Sequence, residues 1–92
     1  MDKYEKTVTV VNPLGLHARA AAQLVKLTAR LPCEVLLESE GQEVNGKSIM
    51  GVLTLAAAQG TDVKITCIGS EAAGSLEQVA ALFEAGFYEM KA

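Results

Sequence analysis

The 92-residue sequence predicts an α+β fold in the order βαββαβα, four strands carrying three helices on one face. Three observations carry this expectation. Short apolar/polar alternations mark strands, longer apolar spacings of three and four mark helices, and Pro or Gly separates nearly every pair. Half of the residues are hydrophobic and 21% are charged, a balance suited to a packed core. Without an internal repeat, linker or low-complexity tract, residues 1–92 read as one domain with a modest core.

The first strand is "KTVTVV", whose Thr/Val alternation suits a half-buried ladder, and "NPLG" breaks it. A helix from Ala18 to about Leu31 follows. Ala21, Leu24, Val25 and Thr28 form its inner stripe, Gln23, Lys26 and Arg30 its wet face, and Pro32 forces the exit. "CEVLLES" and "QEVN" make a hairpin across Glu40–Gly41. The second helix opens at Ser48, a good N-cap, and closes by Gly60, with Val52, Leu55 and Ala56 toward the core. "DVKITCIG" alternates as the fourth strand. Ser70 is the expected N-cap of the third helix, Leu76, Val79, Ala80 and Phe83 its apolar stripe, and Gly86 its stop.

Composition excludes several functions. No apolar run reaches the length of a membrane span, and the polar Met1–Lys6 segment is no signal peptide, so the expected compartment is the cytoplasm. A net charge of -3 with 4% aromatic residues offers neither a basic face nor a stacking platform for nucleic acid. Cys33 and Cys67 lack the spacing of a zinc or redox pair and read as small buried hydrophobes. One His and two isolated Cys supply no metal cluster. There is no G-x-S-x-G elbow, and Asp occurs only at Asp2 and Asp62, so nothing marks a hydrolase triad.

His17 is the one feature with evident chemistry. It sits where a loop becomes the first helix, and the leading N–H groups of a helix have no intrahelical partners. The N–H donors of Ala18 and Arg19 and the positive helix end therefore favour a phosphate or carboxylate there. A neutral imidazole, with a reference pKa of about 6.5, is a competent nucleophile at neutral pH. Arg19 adds a planar, permanently charged fork for phosphoryl oxygens. On spacing alone, a lone His beside a lone Arg reads more often as a solvated helix start than as a functional site.

"GLHARAAAQLV" resembles the active-site signature of the histidine-containing phosphocarrier (HPr) family of the phosphoenolpyruvate phosphotransferase system. "KSIMGVLTLAAAQG" resembles that family's second signature, and the likeness extends over essentially the whole chain. "ALFEAGF" is more similar to the nitrogen-regulatory (NPr-like) branch than to the sugar-transport branch. The resemblance implies an open-faced sandwich with an antiparallel four-stranded sheet. It also implies a stoichiometric carrier rather than an enzyme, needing no cofactor, and a monomer. In that relay His17 takes a phosphoryl group on Nδ1 from phospho-Enzyme I and passes it to a histidine of an EIIA-type acceptor, while Arg19 offsets the transferring charge.

The chain departs from the family pattern at two places. Ala20 stands where proline usually follows the arginine, which predicts slightly less rigidity and no loss of reaction. Leu14 stands where Ser or Asn often orients the ring, leaving Asn12 as a substitute.

The second motif has no charge on any face between Ser48 and Ala58, which suggests contact with something beyond the core. The matching family positions dock partners, so Ile49, Met50 and Leu53 become the expected docking residues. Ser48 is an N-cap, and by resemblance also a site for HPr kinase/phosphorylase, giving the alternative of a binding module regulated at Ser48.

Overall fold

The computed structural model describes residues 2–89. Its elements are β1 (Lys3–Thr9), α1 (Ala18–Thr28), β2 (Cys33–Ser39), β3 (Gln42–Asn45), α2 (Ile49–Leu55), β4 (Asp62–Gly69) and α3 (Ala72–Glu84), followed by a single tight turn, Gly86–Tyr88. The sheet order is β1-β4-β2-β3, and every neighbouring pair is antiparallel. α3 lies over β1 and β4, α2 over β3 and β2, and α1 bridges the other two helices. The expected open-faced α+β sandwich is therefore the observed one.

Strand periodicity explains the layering. Cys33, Val35 and Leu37 of β2 and Val63, Ile65 and Cys67 of β4 are all buried on the helix side. The other face is solvated, and there Lys64 bridges Glu38 at 3.2 Å and Glu5 at 3.9 Å. Both cysteines are free and buried. Burial first, then the neighbouring Cys33, pushes the Cys67 thiol up to about 12, which keeps it an unreactive core group.

Three helix boundaries differ from the sequence expectation. α1 ends at Thr28 rather than near Leu31: Arg30 and Leu31 donate to the carbonyls three residues back, and the tightened turn delivers Leu31 to Pro32 in time for the extended geometry a pre-proline residue prefers. α2 stops at Leu55, well before Gly60, because Ala56 takes a left-handed conformation at φ 51°. Ala56 is consequently exposed, and Ala57, not Ala56, enters the core. Glu71, at φ 56°, rather than Ser70, is the N-cap of α3, and its side chain makes no cap bond. Gly86 does follow the helix, at φ 63°.

The segment released by the early end of α2 holds the loop between β1 and α1. Ala57 O accepts from Leu16 N at 2.9 Å, Thr61 O accepts from Val10 N at 2.9 Å, and Val10 O accepts from Gly60 N at 2.8 Å. That loop presents His17. Among the described residues no helix is long and apolar enough to cross a membrane.

Candidate functional site

His17 is the N-cap of α1, with extended backbone at φ -82° and ψ -177°. Its carbonyl accepts the first helical bond, from Ala21 N at 2.8 Å, so the N–H groups of Ala18, Arg19 and Ala20 have no partner within the helix. Ala18 and Arg19 are exposed, whereas Ala20 is fully buried, so the small residue in the proline position packs as core. The His17 side chain is 26% exposed.

A carboxylate that sequence reasoning missed completes the site. Glu89 places both oxygens 2.9 Å from His17 Nε2, and its Oε2 lies 3.4 Å from Arg19 Nε. Asn12, fully buried, donates from Nδ2 to Glu89 Oε1 at 3.0 Å and to Gly15 O at 2.8 Å. Asn12 thus does act on the ring, but through Glu89 rather than by touching it. Leu14 takes no part in this, its side chain lying exposed. Seventy-two positions separate His17 from Glu89, and no local spacing rule links residues so far apart. The available signal was an acidic residue just past the Gly86 helix stop.

Glu89 arrives by way of an unusual backbone. Gly86, Phe87 and Tyr88 all have positive φ, at 63°, 54° and 61°. Burial of Phe87 holds the turn: its ring packs edge-on against Phe83 at 5.0 Å between centroids, and its carbonyl accepts from Gln23 Nε2 at 3.1 Å.

The electrostatics follow from these contacts. The hydrogen bond from His17 holds the Glu89 carboxyl below its ordinary 4.5, with Asn12 and the charges of His17 and Arg19 adding to it and burial opposing. A carboxyl depressed in the folded state contributes stability that is complete above its unfolded value and is lost as pH falls through the folded one. Glu89→Gln is therefore expected to cost about 1–2 kcal/mol at neutral pH. The deficit against the parent should close as both are melted at successively lower pH, from about pH 6 to about pH 3. A deficit that stayed constant over that range would place the stabilising effect elsewhere.

The second motif lies beside the site. Ser48 Oγ accepts from Gly51 N at 3.1 Å and caps α2 as expected. Met50 is 72% and Ile49 43% exposed, while Leu53 is half-buried and shares a hollow with Leu14, Leu16 and His17. The structure thus brings His17 and Arg19 together around Glu89 and sets Leu53 beside His17 on another side, with Ser48, Ile49 and Met50 at the start of the helix that carries Leu53. Among the described residues no three His, Cys, Asp or Glu side chains gather as metal ligands.

Residues 4–85 match the family model described as "PTS HPr component phosphorylation site". A phosphocarrier protein HPr of Xylella fastidiosa strain Temecula1 is 44% identical over 85 residues, covering 92% of this chain and 96% of that protein. The structure of an HPr from Thermoanaerobacter tengcongensis superposes with a TM-score of 0.91 at 33% identity, over 96% of this chain and 99% of that one. An HPr from Bacillus anthracis strain Ames gives 0.83 at 40% identity, over 86% and 94%. A signature over nearly the whole length, the matching open-faced sandwich and the helix-capping histidine agree: this chain belongs to the HPr family of phosphocarriers of the phosphotransferase system.

Proposed function

We propose that His17 accepts a phosphoryl group on Nδ1 from a phosphohistidine of Enzyme I and hands it to a histidine of an EIIA-type acceptor, in sugar transport or nitrogen-linked regulation. The observation that carries this reading is the contact between Glu89 and Nε2. A carboxylate can only accept, so Nε2 holds the ring proton and the lone pair of the neutral imidazole is left on Nδ1. Nδ1 attacks phosphorus as the bond to the donor nitrogen breaks. The unpaired helix N–H groups of Ala18 and Arg19 and the Arg19 guanidinium then face a group carrying about two negative charges. The chain acts stoichiometrically in this relay, as a cytoplasmic monomer whose partners complete the reaction. Ile49, Met50 and Leu53 supply apolar docking surface for those partners, a use to which an adaptable Met side chain is suited.

Incubation with phosphoenolpyruvate and purified Enzyme I tests the reading by intact mass. One phosphoryl group, labile to acid and stable to base, is expected of a phosphoramidate. A base-labile, acid-stable adduct would instead report a hydroxyl ester and overturn the assignment.

The regulatory reading keeps support from the cap. Ser48 opens the helix that exposes Met50, so a phosphate on Oγ, added by an HPr kinase/phosphorylase, would remain at the positive helix end yet place about two negative charges beside the docking residues. Stability would be retained and association weakened.

A further inference from the structure

We propose that Leu14 and Tyr88 form a second docking surface, a cleft beside Arg19 that receives an apolar side chain of the phosphoryl-exchanging partner and so helps set which partner is served. This rests on the relay reading above. Among the described residues only five large hydrophobics are exposed, and the three most exposed are Tyr88 at 73%, Met50 at 72% and Leu14 at 64%. They are far apart in sequence yet line one cleft of about 350 Å³ with Pro13, Arg19 and Glu89.

Position ties this cleft to the chemistry. Glu89, in its wall, is 2.9 Å from His17, and Leu14 also borders the hollow that His17 shares with Leu53. A protein that brings a phosphohistidine to His17 covers about 800 Å² in an interface of ordinary size. Such a footprint centred on His17 takes in Leu14, which borders the His17 hollow, and Tyr88, which lines one cleft with the Glu89 that bonds His17.

The backbone supports the same conclusion. Tyr88 is held at φ 61°, a region that side chains other than glycine rarely occupy, and burial of Phe87 fixes the turn that puts it there. The outcome is a tyrosine kept outside the core next to an Arg that is itself 71% exposed. Tyr and Arg are the residue types enriched among the strongest contributors to protein association. An aromatic wall beside a guanidinium suits an apolar side chain flanking the partner's anionic phosphohistidine.

The test is a titration of initial phosphoryl-transfer rate from phospho-Enzyme I against concentration of this protein. Tyr88→Asn removes the ring while keeping a residue tolerant of positive φ, Leu14→Ser removes the facing wall, and Tyr88→Phe restores the ring. The half-saturating concentration should rise about fivefold or more in the first two, as expected for an interface side chain that matters. The maximal rate should stay within about twofold, and Tyr88→Phe should behave as the parent. Thermal melts report folding of each variant, and Leu14→Ser, altered at an exposed site, decides the matter should Tyr88→Asn unfold. Unchanged half-saturation in both overturns the proposal, as does a fall in maximal rate alone. So does sedimentation showing that the parent self-associates and that the variants do not, since the cleft would then seat a second copy. A parent that takes no phosphoryl group overturns the relay reading together with this one.

Discussion

Arg19→Ala is expected to slow phosphoryl transfer to His17 by about 10²–10³-fold, the effect of deleting one preorganised charge-stabilising donor. His17→Ala should leave no transferable phosphoryl group at all. The reason for the large Arg19 effect is timing. In the resting site Arg19 Nε lies 3.4 Å from a carboxylate and the side chain is mostly exposed, so truncation removes little that holds the fold together. Under the proposed relay the phosphoryl group brings its negative charge against the guanidinium as it passes to His17, and there Arg19 would stabilise the transition state more than either end state. Association with Enzyme I, followed by titration calorimetry at fixed salt, should weaken by less than tenfold. Binding and rate falling by equal factors would make Arg19 a docking residue instead.

The largest stability effect is expected at Gly15. Its φ of 64° lies in the left-handed region, and an added Cβ would sit 2.5 Å from Ala57 O and 3.0 Å from Ala58 Cα. Both obstacles are backbone, so no side chain can swing aside. Gly15→Ala should therefore cost about 2–4 kcal/mol through strain and lost hydrogen bonds. For a domain of this size that lowers the melting temperature by roughly 4–8 °C per kcal/mol. The same displacement acts on function, because Leu16 N, which bonds Ala57 O, immediately precedes His17. A parent-like melt combined with parent-like transfer would show that the loop gives way without cost.

Local signals recovered the order of the elements and the placement of His17 and Arg19 at one end of α1. The Ser48 cap is decided by neighbouring residues and is where the sequence puts it, whereas the Thr/Val alternation finds β1 but not its bounds, the strand running Lys3–Thr9 rather than along "KTVTVV", and α1 ends four residues ahead of Pro32. His17 and Arg19 were legible because helix geometry alone places them at one end of α1. What escaped depends on distant packing. Ala56 breaks α2 with a backbone that an excellent helix former would not choose, because the chain must leave the helix there to bond Leu16 through Ala57. Glu71 caps α3 in place of the better Ser70 for a reason no local propensity contains. Glu89 was invisible for the same cause: burial of Phe87, itself a long-range event, carries it to His17.

The sheet order has a consequence for how the molecule comes into being on the ribosome. β4 lies between β1 and β2, so β1 has no lateral partner until residues near Asp62–Gly69 have been made. Synthesis proceeds at about 5–20 residues per second, so His17 waits several seconds in an unfinished chain. During that interval Val10 lacks Thr61, Leu16 lacks Ala57, and the imidazole lacks Glu89. His17 is thus among the first parts translated and the last to be aligned. A nascent or prematurely terminated chain carries the imidazole without its Glu89 contact, and under the proposed relay that keeps incomplete molecules out of the phosphoryl traffic.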